Sequence, residues 1–195
     1  MDPNKDFISC LLTEKINGQM ISDETIIGIL NLFLTAGHDS TTSSLGVLFN
    51  YIANNPDAQG QLRNDPGLLP TAIEEILRFE SPVQLMPRKV TKDTVLHGQQ
   101  LKAGDSVFLY FGSGNRDETT FENANQVILN RKPNKYLIFG HGLHKCIGSP
   151  IALLELRIAL EELLSRTLAI VPDGEPVRTD FQRFGVSNLP VLLLS

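Results

Sequence analysis

Apolar positions crowd the segment IIGILNLFLTAGHDSTTSSLGVLFNYIA so densely that almost no polar face is left, until Asn54, Asn55 and Pro56 close it. The pattern predicts one helix of about 45 Å at 1.5 Å per residue, apolar around its circumference and therefore buried. Ser22 or Asp23 is placed to cap it. A further helix opens at Pro56, and another runs from about Leu68 to Phe79, ending before Ser81 and Pro82. Short strands are expected in PVQLMPRKV, TVLHGQQL and DSVFLYF, with His97-Gly98 and Ala103-Gly104 as turns. After an irregular stretch to Phe139, PIALLELRIALEELLSR reads as an amphipathic helix started by Pro150, and DFQRFGVSNLPVLLLS as a terminal hairpin. The fold class is thus mainly α, an α+β arrangement of one long helix, shorter helices and small sheets.

Composition narrows what such a chain does. With 195 residues, 42% hydrophobic and a net charge of −5, it has the material for one globular core. Its 17 basic residues are scattered, which gives nucleic acid no footprint. Cys10 and Cys146 lie far apart, so no disulfide framework is expected and a reducing, cytoplasmic setting fits. The start MDPNKDFISC has no run of signal-peptide length, and no membrane segment is expected.

The chemistry concentrates in FGHGLHKCIG, residues 139–148. Three readings of its cysteine stand side by side. Cys146 can be a small packed residue in a glycine-shaped turn. It can be a zinc ligand with His141 and His144, although no C-x-x-C pair or fourth ligand accompanies it. Or it can be a thiolate: it directly precedes a helix, whose free N–H groups and positive end favour an anionic sulfur. Gly148 then keeps a side chain away from those amides and Pro150 starts the helix without wasting a donor. Gly140 and Gly142 let the backbone turn tightly beside something flat, Phe139 packs against it, and His144 and Lys145 bring donors or positive charge. A planar, anionic, iron-bearing partner answers all these features together.

The stretch resembles the haem-binding signature of the cytochrome P-450 superfamily, F-x-x-G-x-H/R-x-C-x-G, with every defining position filled. The resemblance implies haem b, iron protoporphyrin IX, as cofactor, Cys146 as its axial metal ligand and His144 as a propionate partner. Gly140, Gly142, Gly148 and Phe139 would shape the seat. The following IALLE is similar to the family's continuation into its last long helix, with Ile151 where leucine is commoner.

Within the long helix, AGHDSTT costs helix stability through Gly37 and a carboxylate among hydroxyls. These can be small polar residues bonded back to carbonyls one turn earlier. The motif also resembles the family's oxygen-activation sequence, A-G-x-D/E-T-T. That resemblance implies a local opening of the helix at Gly37, with Asp39 as the acid and Ser40 as the alcohol of a proton relay. Ser40 replaces the usual threonine and lacks the methyl that fixes its rotamer, so Thr41 is a nearby substitute and leakage of peroxide is expected.

EEILR carries E-x-x-R, Glu75 and Arg78 one turn apart, which on spacing alone is commonly a solvated ion pair. It resembles the family's structural pair, which implies a third partner from the segment before the haem loop. Gln126 stands where many relatives have arginine, leaving Arg131 and Arg116 as candidates. Arg88, otherwise an ordinary strand-edge charge, matches a propionate-binding arginine, and Tyr136 stands where many bacterial relatives have a propionate-binding histidine. Val83, Leu85 and Met86 correspond to a substrate-facing stretch, or are simply strand core. The G-x-G of FLYFGSGNRD lacks the third glycine of a dinucleotide site, and no serine sits in a G-x-S-x-G elbow.

The resemblance runs from about Asn17 onward and corresponds to the carboxyl-terminal half of the family's domain, so residues 1–195 are expected to form a single partial haem-binding domain. An amino-terminal half, supplied elsewhere, is a candidate partner. The implied activity is insertion of one oxygen atom from dioxygen into a small organic substrate, with electrons from a ferredoxin- or flavodoxin-type donor. The alternative is a non-catalytic haem-binding or sensing module, or an inactive fragment. A long apolar helix without its full cover would also leave an uncovered flank.

Overall fold

The computed structural model describes residue 2, residues 5–179 and residues 184–195. It divides into two compact units, residues 1–39 and 40–195.

In the first unit, α1 (Phe7–Thr13) starts where the Asp6 side chain accepts from the Ser9 N–H at 2.8 Å. A hairpin of β1 (Lys15–Ile16) and β2 (Gln19–Met20) turns through Asn17 and Gly18, whose φ values of 52° and 80° are those of a type I′ turn. Helix α2 (Asp23–Ala53) then begins, with Ser22 as the capping residue: its Oγ accepts from the Thr25 N–H at 3.3 Å. Phe7 and Phe33 pack with ring centroids 5.0 Å apart.

The second unit holds the main core. Val47, Leu48 and Ile52 of α2 meet Leu62 of α3 (Pro56–Asn64), Ile73, Ile76 and Leu77 of α4 (Leu69–Glu80), and Leu156, Leu160 and Leu164 of α6 (Ser149–Arg166). Between α4 and α6 lie β3 (Leu85–Lys89), the β4–β5 hairpin (Thr94–Leu96 and Gln99–Leu101), β6 (Ser106–Tyr110) and a single helical turn, α5 (Phe111–Gly114). β3 pairs antiparallel with β6. The β4–β5 turn has His97 and Gly98 at φ 47° and 80°, as their sequence demands. Gln59 is buried and ties α3 to both its neighbours: its Nε2 donates to the carbonyls of Ile52 and Ile170, and its Oε1 accepts from the Ile170 N–H.

Three expectations need correction. Helix α2 is buried mainly in its second half, with Ile26 the buried residue of its first; Ile27, Leu32 and Leu34 are exposed at 59, 68 and 71%, an uncovered apolar flank. Helix α6 is not simply amphipathic, because Ile151, Leu154 and Ile158 form an exposed apolar stripe besides the buried one. Among the described residues of the carboxyl-terminal segment, the two strands do not pair with each other. β9 (Val186–Asn188) pairs with β8 (Val177–Arg178) and β10 (Val191–Leu194) with β7 (Ala169–Pro172), because Pro190 separates the two strands and cannot donate to a shared ladder. Residues 180–183 of the expected hairpin lie outside the described residues.

Candidate haem-binding site

The loop before α6 is built on its glycines. Gly140 and Gly142 adopt φ values of 66° and 71°, a region closed to most side chains. The Gly140 N–H donates to the Leu137 carbonyl at 2.7 Å, and the Cys146 N–H donates back to the Phe139 carbonyl at 2.8 Å, closing the loop. Gly142–His144 form a short 3-10 turn, and α6 starts three residues after Cys146 with Gly148 as its flanking residue and Pro150 in its first turn. Cys146 is exposed, which removes its reading as a packed core residue. A Cβ at Gly148 would sit 3.9 Å from the Cys146 sulfur, so this glycine leaves the space beside the sulfur open.

Leu143 and Ile147 flank that sulfur in sequence and are exposed at 103 and 91%. A thiol between two uncovered aliphatic side chains is a poor water-facing surface and a good seat for a flat apolar group with a metal at its centre. The donor set therefore fits haem. It does not fit zinc: among the described residues no three His, Cys, Asp or Glu side chains gather, so His141, His144 and Cys146 do not form a closed ligand set. Tyr136 packs edge-on against Phe139 at 6.0 Å. Burial pushes its phenol well above its ordinary pKa, and the Glu74 carboxylate beside the hydroxyl adds to that; the hydroxyl faces Glu74. Arg88 is exposed and donates to the neighbouring Pro87 carbonyl at 2.8 Å.

Behind the loop stands a buried ionic network, and here the solvated-pair reading of E-x-x-R fails. Glu75 and Arg78 are wholly buried and joined by two bonds of 2.8 and 2.9 Å. Arg131 is the third partner, its Nε donating to Glu75 Oε1 at 2.9 Å. Arg116 goes elsewhere, donating to the Phe79 carbonyl and lying over the Phe79 ring. Ile128 N–H and Asn134 Nδ2 complete the shell around Glu75. Burial alone would raise the Glu75 carboxyl, but the bonds from Arg78, Ile128 and Arg131 outweigh it and hold the group below its ordinary value. Arg78 Nη1 donates to the carbonyls of Asn115 and Ala124 and Nη2 also to that of Gln126, at 2.6 to 2.9 Å. Position 126 thus serves through its backbone. Asn115 directly follows the G-x-G and caps the end of α5, and its signal in the sequence is an amide next to the Arg116 guanidinium.

The remaining candidates are placed as follows. Helix α2 runs unbroken through Gly37, so the opening implied there is not seen. Asp39 is exposed, and Ser40 and Thr41 are half-buried. The Ser44 hydroxyl donates to the Ser40 carbonyl at 2.8 Å, the back-bonding expected of such residues. Leu85 is buried, Val83 packs against the core from its edge, and Met86 is 43% exposed.

Comparison with known proteins gives one answer throughout. The family model for cytochrome P450 matches residues 1–66 and 67–194, so the likeness begins well before Asn17. Cytochrome P450-terp of a Pseudomonas species is 37% identical over 97% of this chain and 44% of its own length. A steroid C26-monooxygenase of Mycobacterium tuberculosis is 36% identical over 98% of this chain and 52% of its own. Among solved structures, cytochrome P450 PksS of the Bacillus subtilis bacillaene polyketide synthase superposes with a TM-score of 0.93 at 33% identity, over 99% of this chain and 52% of that one. CYP109E1 of Bacillus megaterium, solved with corticosterone, superposes with a TM-score of 0.92 at 36% identity, over 95 and 51%. The chain spans about half the length of these relatives.

Proposed function

Since the chain belongs to the cytochrome P450 family, we propose that it is the haem-carrying half of a monooxygenase in which Cys146 supplies the thiolate ligand. Haem b would supply the oxygen binding and redox chemistry when bound, and a thiolate ligand favours O–O cleavage. Everything else falls to side chains of this chain. The α6 amino terminus follows Cys146 by three residues. Gly140, Gly142 and Gly148 keep the seat open, Phe139 packs against it with Tyr136 behind, and His144 and Arg88 offer donors to the propionates. In the proton relay that the family resemblance implies, Asp39 would hold a proton and the Ser40 hydroxyl would pass it on, with Thr41 beside it and Gly37 leaving room. Val83, Leu85 and Met86 line the approach of a small organic substrate. Electrons come from a ferredoxin- or flavodoxin-type donor.

The observation that carries this reading is the exposed sulfur of Cys146 on a glycine-shaped loop immediately before a helix. The test is the Soret band of the reduced carbon monoxide adduct of the haem-loaded chain. A strongly red-shifted thiolate band that disappears in Cys146→Ala is expected. A band of histidine type, or one unchanged in Cys146→Ala, overturns the assignment.

The exposed Leu32 and Leu34 of α2 favour a second reading, a haem-binding module that turns over only with a partner chain. Peroxide-driven oxidation of a bound substrate separates the two. Turnover by this chain alone supports the first, and a thiolate spectrum without turnover supports the second.

A further inference from the structure

The loop carrying Cys146 is tied to the end of α4 through the side-chain amide of Asn115. Asn115 is 0% exposed and uses its backbone and both side-chain groups. Its carbonyl accepts from Arg78 Nη1 at 2.6 Å, and its own N–H donates to the Phe111 carbonyl at 2.8 Å. Its Nδ2 donates to Ser81 Oγ at 2.8 Å, while its Oδ1 accepts from the Leu137 N–H at 2.7 Å. Ser81 is itself held: it ends α4 in the left-handed region at φ 45°, with its hydroxyl donating to the Arg78 carbonyl at 2.8 Å. From Leu137 the path continues along the loop, since its carbonyl receives the Gly140 N–H at 2.7 Å, and Phe139, one residue earlier than Gly140, receives the Cys146 N–H.

The two ends of the Asn115 side chain therefore face opposite demands, a donor toward α4 and an acceptor toward the loop. Only a primary amide of this length meets both in a buried space. Aspartate keeps the acceptor and loses the donor, leucine keeps the shape and loses both, and glutamine adds a methylene where packing is tight.

We infer that Asn115 is a positioning residue for Cys146: by holding the Leu137 N–H to the end of α4 it fixes the register of the 137–146 loop and so the direction of the sulfur. The inference deepens the haem-thiolate reading and rests on it for its spectroscopic arm alone.

The full chain is compared as wild type, Asn115→Leu, Asn115→Asp and Ser81→Ala, with Leu62→Ala of α3 as a core variant that breaks none of these hydrogen bonds. Two measurements are made: native-state amide exchange at Leu137, Gly140 and Cys146, and the Soret band of the reduced carbon monoxide adduct after haem loading. Asn115→Leu is expected to speed exchange at these three amides by about tenfold or more relative to the rest of the second unit, and to shift the band from thiolate toward thiol type while haem stays bound. Asn115→Asp keeps the acceptor toward Leu137 and loses the donor toward Ser81, so it is expected to match Ser81→Ala. Ser81→Ala gives the Asn115→Leu pattern at smaller amplitude and decides the matter if Asn115→Leu does not fold. Unchanged exchange at Leu137 in both Asn115→Leu and Ser81→Ala overturns the inference, as does an equal effect from Leu62→Ala. If the wild type itself lacks a thiolate band, the haem-thiolate reading falls while the exchange data still decide the role of Asn115.

Discussion

Arg131 donates to the same carboxylate that Arg78 grips, so Glu75 stands between two guanidinium groups with its own side chain wholly buried. The three charges already sum to +1 in a dry site, and loss of the carboxylate would leave two unpaired guanidinium groups there. Glu75→Gln is expected to destabilise the chain by about 3–5 kcal/mol, the usual result of removing one member of a buried pair, read as a lower urea midpoint at unchanged slope.

The same carboxylate makes stability depend on acid. Its folded pKa lies below the ordinary 4.5, so its contribution is complete above that value and is lost as pH falls through the folded pKa. Urea midpoints measured from pH 6 downward should fall more steeply for wild type than for Glu75→Gln. Parallel curves would show that Glu75 titrates normally.

Glu80, five residues on, is predicted to behave oppositely. Burial raises its pKa, and the nearby Arg178 and Arg116 do not compensate fully. With a folded value above the unfolded one, its ionisation opposes folding, so wild-type stability should fall as pH rises through that raised value. Glu80→Gln should lack this fall and match or exceed the wild type at neutral pH.

Two glycines of α2 should respond with opposite sign to alanine. At Gly28 nothing lies within 4 Å of an added Cβ, and the helix gains about 1 kcal/mol from better propensity. At Gly46 the new Cβ would meet the Val186 carbonyl oxygen at 3.0 Å and its backbone nitrogen at 3.3 Å. Backbone of a paired strand yields poorly, so Gly46→Ala is expected to cost about 1–3 kcal/mol. Thermal or urea unfolding of the two variants checks the pair.

Ser40 tests the distal half of the proposal. Its hydroxyl lacks the methyl that restricts a threonine rotamer, so Ser40→Thr is expected to release less hydrogen peroxide per electron pair consumed in the chain with its donor. Equal peroxide yield would remove Ser40 from the relay.

What could be read in the residues was whatever local chemistry enforces. Ser22, Pro56 and Pro150 announced helix starts because capping and fixed φ act within a turn, and His97-Gly98 announced its hairpin for the same reason. The cysteine loop was legible because close turns demand glycine wherever they occur. Burial was not: the E-x-x-R spacing is the same on a wet or a dry face, and only the strands and loops that cover α4 decide it. Asn115 stayed unseen because its two partners, Ser81 and Leu137, are 34 and 22 residues away. The apolar circumference of α2 states what the helix can bury, and an uncovered flank follows where its full cover is missing, but which residues stay bare is decided by other chain.

Arg78 grips the segment at 115, 124 and 126 by carbonyl oxygens, an atom that every amino acid carries. Its anchorage is therefore indifferent to which residue types evolution puts at those places, so glutamine at 126 costs this contact nothing. Sequence drift at 124 and 126 can proceed under a fixed clasp, whereas 115 is held a second time through its own side chain.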